Sequence, residues 1–304
     1  MAKLAFLFAG QGAQSPGMGK ALYASSRAAR AVFDEGEALR PGILELCFEG
    51  PAEALNQTAN AQPCLFLMDL ACARAAEEAG IKASGAAGFS LGELPAAAFA
   101  GLLSDRDAFL AVLERARLMQ VSSEQNPGAM SAVLKLPAAE VIRLAGEHGV
   151  YAVNFNAPGQ TVVSGLTEAL RGFEVAVAAS GGRTARLKVS GAFHSPYLEG
   201  ASAAFYAHLS SYSFAEPRIP LYSNLDALPY GADPQKTLAL QMKSPVLWQQ
   251  SIETMKKDGF SAFVEVGAGK TLSGLLRRID ESLLALAVDA PEGLQAALDA
   301  LKGA

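Results

Sequence analysis

Cysteine, histidine and charge are all scarce in this chain. Among 304 residues there are three cysteines, Cys47, Cys64 and Cys72, and three histidines, His148, His194 and His208. An odd number of cysteines without a C-x-x-C pair excludes a disulfide framework and reads as reduced, buried thiols of a cytoplasmic protein. With so few soft ligands, no structural zinc site and no other metal is expected. Charged residues are 18% of the chain, below the usual ~25%, and hydrophobic residues are 51%. A disordered chain has the opposite balance. An excess of positive charge is also missing. The net charge of −5 argues against a duplex nucleic-acid binder, whose footprint is basic. Long apolar runs are absent too. The longest, over 86–103, contains Glu93 and several glycines, whereas a membrane span needs about 20 apolar residues. The N-terminal run at 4–9, preceded by Lys3, imitates a signal peptide. It is too short and ends in Gly10-Gln11-Gly12, so a buried first strand fits better.

What remains is a chain long enough to bury about 75% of its unfolded surface, in one large domain or a core with a subdomain. Strand patterns fall at 3–8, 86–89, 129–134, 150–154, 161–164, 184–189, 220–223 and 262–266. Helical patterns fall at 18–25, 28–39, 43–48, 61–80, 91–100, 105–123, 138–148, 168–180, 197–211, 234–241, 247–258 and 271–279. This alternation predicts an α/β fold with a largely parallel central sheet. Between Asn126-Pro127-Gly128 and Ser190-Gly191 the order becomes strand, helix, strand, strand, helix, strand. That is the ferredoxin-like split unit. The predicted organisation is therefore a large subdomain made of 1–125 and 190–304, with a ferredoxin-like subdomain of 126–189 inserted in it. A cleft between two such units is a common ligand site.

Gly88-Phe89-Ser90-Leu91-Gly92 matches G-x-S-x-G in the context of a nucleophile elbow, after a short strand and before a helix. The turn would lift the Ser90 hydroxyl onto a helix N-terminus, where free N–H groups favour developing negative charge. Such a serine needs a base. His148 sits at a helix C-terminus and reads as a cap, and His208 lies on an amphipathic helix. His194, just after a strand in Gly191-Ala192-Phe193-His194-Ser195-Pro196, is the best base candidate by location.

Two glycine-rich turns imitate nucleotide motifs. Gly10-Gln11-Gly12-Ala13-Gln14-Ser15 has serine where the dinucleotide fingerprint needs its third glycine. Gly267-Ala268-Gly269-Lys270-Thr271 lacks the first P-loop glycine, since Val264 stands there. Both still run from a strand end toward a helix, which places them on the same sheet edge as Ser90. Arg115 and Arg117 lie on the long helix after the elbow. Either would clamp a substrate carboxylate if it faced the cleft, and periodicity does not choose between them.

Seven segments together resemble the malonyl-CoA:acyl carrier protein transacylases, in family order and at family spacing. They are Phe8-Ala9-Gly10-Gln11-Gly12-Ala13-Gln14, Gly88-Phe89-Ser90-Leu91-Gly92-Glu93, Arg115 with Met119-Gln120, Asn154-Phe155-Asn156-Ala157-Pro158-Gly159-Gln160, Gly191-Ala192-Phe193-His194-Ser195, Gln241 before Ser244-Pro245-Val246, and Glu265-Val266-Gly267-Ala268-Gly269-Lys270. The resemblance spans nearly the whole chain and implies an α/β-hydrolase-like core. It further implies that Ser90 accepts a malonyl group from coenzyme A as an ester. His194 would activate Ser90 and then deprotonate the carrier's phosphopantetheine thiol. The main-chain carbonyl of Gln241 would orient His194, and no aspartate is needed. The N–H groups of Gln11 and Leu91 would form the oxyanion hole. Arg115, at the family's distance from Ser90 and Gln120, would hold the malonyl carboxylate.

Phe193 resembles the bulky residue of malonyl-selective members and would crowd an α-methyl branch. The chain departs from the family at Phe89, where histidine is usual, and at Leu94-Pro95, where tyrosine and a small residue are common. Phe89 would flank the acyl pocket with Phe193. The implied enzyme is a cytoplasmic monomer of type II fatty acid synthesis. It needs no bound cofactor, since coenzyme A arrives as the substrate thioester. Its partner is an acidic acyl carrier protein, met by Lys188, Lys243, Lys270, Arg277 and Arg278. Rival readings are a discrete acyltransferase of polyketide synthesis, a hydrolase of acyl thioesters, which would not need Arg115, and a silent carrier-binding module.

Overall fold

The computed structural model describes residues 3–189 and 191–302. Nine strands are seen among them: β1 (Lys3–Phe8), β2 (Gly85–Gly88), β3 (Gly128–Leu134), β4 (Tyr151–Ala157), β5 (Gln160–Leu166), β6 (Arg183–Arg186), β7 (Leu221–Tyr222), β8 (Phe260–Val266) and β9 (Leu284–Val288). They form two sheets. The larger has the order β7-β2-β1-β8-β9, and every pairing in it is parallel. Its central strand β1 reads Lys-Leu-Ala-Phe-Leu-Phe and is buried on both faces beyond Lys3, as a strand covered by helices on each side must be. Helix Thr58–Glu78 packs on one face and is buried along most of its length. Trp248 and Ile252, from helix Trp248–Lys257, pack with Leu7 and Phe263 on the other. The fold is thus the α/β class that the alternation predicts.

The smaller sheet has the order β4-β5-β3-β6 with antiparallel pairings throughout. Helices Ala138–Glu147 and Thr167–Ala179 complete the split βαββαβ unit around their own core of Val133, Leu144, Val163 and Phe173. Ser190, at the expected boundary, lies outside the described residues. A Pro127–Gly191 bridge joins the two connecting segments, and Phe155 N–H donates to the Val246 carbonyl at 2.9 Å, tying the small sheet to the larger part.

Several expected boundaries shift. β6 ends at Arg186 rather than 189, where its pairing with β3 stops. Helix Thr58–Glu78 starts three residues early and contains Pro63 at its sixth position, where the Ala59 carbonyl left without an N–H partner accepts from Arg40 Nη1 at 3.2 Å. Three elements were not expected at all, the short helix Ala52–Leu55, β9 and the helix Pro291–Lys302. β9 is a half-buried edge strand of five residues, Leu-Ala-Leu-Ala-Val. Its small alternate residues give no strong period-two signal. No helix among the described residues is long and apolar enough to cross a membrane.

Candidate active site

β2, β1 and β8 are neighbours, and each runs at its C-terminal end into one of the glycine-bearing turns singled out above. β1 is also where the chain switches from one side of the sheet to the other, the place where open α/β sheets bind ligands. After β2, Ser90 begins a turn of 3₁₀ helix (Ser90–Gly92) that continues into helix Glu93–Ala100. Ser90 has φ 54°, in the left-handed region that a non-glycine residue adopts only under constraint. The flanking glycines permit it by close approach. A Cβ on Gly88 would stand 1.9 Å from the Gly92 carbonyl carbon, and one on Gly92 would stand 2.3 Å from the Phe8 carbonyl oxygen. Both overlaps are with backbone, which cannot yield. Gly88→Ala is therefore expected to destabilise the protein by roughly 3 kcal/mol or more. A urea-unfolding midpoint equal to that of the parent would contradict this.

Asn224 fixes the elbow from the far side. Its Oδ1 accepts the Ser90 N–H at 2.7 Å and its Nδ2 donates to the Gly88 carbonyl at 2.8 Å. Since Ser90's own amide is engaged, the next one along the turn, Leu91 N–H, is the elbow donor left to face a substrate oxygen. On the β1 turn the Gly12 N–H is likewise bound, to Gln14 Oε1 at 2.8 Å, next to Gln11. The Gln11 side chain itself donates to Thr58 Oγ1 at 3.2 Å.

His194 follows β6 with φ 60° and is buried. Ser164 of β5 donates to the Phe193 carbonyl at 2.8 Å, so the small sheet holds the backbone just before the histidine. Ser90 Oγ lies 2.7 Å from His194 Nε2, and His194 Nδ1 lies 3.0 Å from the Gln241 main-chain carbonyl. A carbonyl only accepts, so Nδ1 carries the hydrogen and Nε2 is free to accept from Ser90. Burial lowers the His194 pKa, the Arg115 cation lowers it further, and the value falls to about 4. The imidazole is thus neutral, and available as a base, at any pH above that. The other two histidines lie elsewhere. His148 caps helix Ala138–Glu147 and its ring packs on Phe173, while His208 faces Tyr212 on helix Glu199–Leu209.

Packing separates the two arginines. Arg117 is exposed and forks onto Glu114 one turn away. Arg115 is 2% exposed and points to the serine. Its Nη1 donates to Gln62 Oε1 at 2.6 Å, and its Nη2 donates to Gln241 Oε1 at 3.0 Å and to Ser90 Oγ at 3.2 Å. Both clamping acceptors are neutral carboxamides. They hold the guanidinium in place without themselves carrying a charge, and burial lowers its pKa to about 10 although the Glu93 carboxylate pulls the other way. Three of five N–H groups are engaged in these bonds, leaving two for a ligand.

Ser90, His194 and Arg115 line one cleft of about 250 Å³ between the C-terminal edge of the large sheet and the small sheet. Gln11 and Phe89 line it from the large sheet, and Met130, Val162 and Phe193 from the opposite side. Asn154 and Asn156 are buried on its wall, each with a carboxamide oxygen that has no hydrogen-bond partner among the described residues. Phe89 also rests edge-on against Trp248, centroids 5.3 Å apart, and over Gly10. Of the five cations expected at a carrier surface, Lys188, Lys270, Arg277 and Arg278 are exposed, whereas Lys243 is tied to Glu199 at 2.6 Å. Gln62, Glu93 and Asn224 carry much of the site's geometry, and the sequence reading gave none of them a role. Glu93 stands inside a quoted motif, but only burial distinguishes it from a solvated helix residue.

The chain is similar to known proteins along nearly its whole length. The model of the acyl transferase domain matches residues 5–287. A malonyl CoA-acyl carrier protein transacylase of Bacillus subtilis is 38% identical over 99% of this chain and 98% of its own length. The crystal structure of a malonyl CoA-acyl carrier protein transacylase from Clostridium perfringens superposes with a TM-score of 0.95 at 33% identity, covering 99% of this chain and 98% of that one. A malonyl-transacylase solved in complex with a holo type II PKS acyl-carrier protein superposes with a TM-score of 0.95 at 31% identity, covering 98% of this chain and 100% of that one.

Proposed function

The chain belongs to the malonyl CoA-acyl carrier protein transacylases, a family of the acyl transferase domain, and on that premise we propose that Ser90 carries the acyl group from coenzyme A to the carrier. The enzyme is an acyltransferase that moves a malonyl group onto acyl carrier protein. The observation that carries the assignment of residues is the convergence of His194 Nε2 and Arg115 Nη2 on one oxygen, Ser90 Oγ.

The reaction runs in two halves. Ser90 Oγ attacks the malonyl thioester carbonyl while His194 Nε2 takes the hydroxyl proton. Negative charge gathers on the carbonyl oxygen, which the Leu91 and Gln11 N–H groups receive. One such donor is worth about 10²–10³ in rate. Collapse expels the coenzyme A thiolate, which takes the proton from His194, and leaves a malonyl-Ser90 ester. The carrier's pantetheine thiol then gives its proton to His194 and attacks the ester. Ser90 leaves as the alkoxide and recovers the proton. Throughout, the malonyl carboxylate lies against Arg115, whose two unengaged N–H groups and positive charge suit it. An acetyl group offers that buried cation nothing, which is the basis of selectivity. Phe193, beside the base, limits space for an α-branch, and Phe89 flanks the acyl group from the other side.

The 126–189 unit acts as an inserted subdomain forming the second wall of the cleft. Asn154, Asn156 and Gln160 supply carboxamides along the path of an amide-bearing pantetheine arm. Lys188, Lys270, Arg277 and Arg278 receive an acidic carrier, and Lys243, already paired, contributes less. The enzyme works as a cytoplasmic monomer of type II fatty acid synthesis, with no cofactor beyond the thioester itself. Intact-protein mass tests the assignment. Brief exposure to malonyl-CoA is expected to give one malonyl adduct, which holo carrier protein then removes and acquires. A fatty-acid carrier and a polyketide carrier, offered in competition, decide the pathway. An adduct lost to water with no carrier loaded would favour a hydrolase instead.

A further inference from the structure

Glu93 is wholly buried one turn below Ser90. Its Oε1 accepts the Asn224 N–H at 2.7 Å and its Oε2 accepts from Gln241 Nε2. The same Gln241 nitrogen donates to the Ser90 carbonyl at 2.6 Å, and the Gln241 oxygen accepts from Arg115 Nη2 at 3.0 Å. One carboxamide therefore stands between a buried guanidinium and a buried carboxylate, bonded to both. The groups facing Glu93 are Arg115 from helix Asp105–Gln125, the Tyr230 phenol from the loop before helix Pro234–Gln241, and the uncharged Asn224 and Gln241, with Asp226 beyond Tyr230. Arg115 is the one cation among them.

We infer that Glu93 is the resident counter-ion of Arg115, and that a malonyl group entering the cleft takes over this role and drives a proton onto Glu93. The inference rests on the malonyl reading above. Its physical basis is that one buried cation balances one anion. With an acyl carboxylate against Arg115, a second ionised carboxylate behind Gln241 loses its compensation in a site of low dielectric. The cheaper state is the neutral acid. Glu93 is poised for the change, because burial raises its pKa while its hydrogen bonds and Arg115 lower it, leaving it at about 8. An acetyl group carries no charge and drives no such uptake. Glu93 is thus a positioning residue that makes malonyl loading weaken as pH rises through about 8, where the resident anion competes with the arriving one.

Titration calorimetry of the Ser90→Ala enzyme with malonyl-CoA and acetyl-CoA, in two buffers of different ionisation enthalpy, reads the proton directly. For malonyl-CoA relative to acetyl-CoA, uptake of about half a proton is expected at pH 8 and almost none at pH 6. In the Ser90→Ala, Glu93→Gln double variant the pH 8 difference is expected to vanish. Binding of malonyl-CoA without extra uptake at pH 8 overturns the inference alone, as does uptake that survives Glu93→Gln. If the double variant fails to fold, the pH trend in Ser90→Ala decides. Uptake larger at pH 6 than at pH 8 belongs to His194, relieved of the Arg115 field, and overturns the assignment to Glu93. Absence of malonyl-CoA binding, with no adduct in the parent enzyme, overturns the malonyl reading and this inference with it.

Discussion

Ser90→Ala is expected to abolish the malonyl adduct and to lower carrier loading by on the order of 10⁶. Among the described residues no other side-chain hydroxyl or thiol is hydrogen-bonded to His194. The three cysteines are buried away from it, and burial raises the thiol pKa of Cys72 while Cys47 is raised by its contact with Cys64 and by burial, so neither offers a thiolate. The fold should survive, because what Asn224 grips at this position is the backbone N–H and not the hydroxyl. Carrier binding, measured separately, should therefore stay near its parental value while transfer disappears. A silent carrier-binding module would show the same binding with no transfer to lose. An adduct of unchanged mass and rate in Ser90→Ala would place the nucleophile elsewhere.

Arg115→Ala is expected to cost roughly 3–5 kcal/mol in malonyl loading, about 10²–10⁴ in the malonyl-over-acetyl ratio. The acyl carboxylate would lose its partner in a closed site, while acetyl loading would lose little. The competition between the two thioesters, read as adduct masses, gives the ratio directly. The neighbouring Arg117→Ala serves as the contrast, since its exposed pairing with Glu114 is worth ~0.5 kcal/mol and touches nothing in the cleft. A ratio unchanged in Arg115→Ala would remove the carboxylate clamp from the mechanism. A hydrolase would be indifferent to the substitution, so the same experiment separates that rival.

The two arginines also mark the limit of reading by sequence. They are two residues apart on one helix, of the same type, and both are within the expected element. Which one is buried depends on what packs on each face. Gln62 and Gln241, separated from Arg115 by 53 and 126 residues, are what hold it. The elbow was legible because its demands are local. A strained serine needs glycines two residues to either side, and that spacing is written in the chain. The split unit was legible for a similar reason, since strand and helix periodicities change over every ten residues or so. β9 and the last helix escaped because a half-buried edge leaves only a weak pattern.

What the sequence determined by itself was most of the elements, the elbow and, through family spacing, the choice of Ser90, His194 and Arg115 as site candidates. What only the tertiary structure decided was the chemistry of their surroundings. Asn224 reaches Glu93 and the elbow across 131 to 136 residues of chain, and a buried polar side chain such as Glu93 looks in sequence like a solvated one. Charge balance inside a closed cleft depends on distances among groups that the chain brings together last. No local periodicity encodes it.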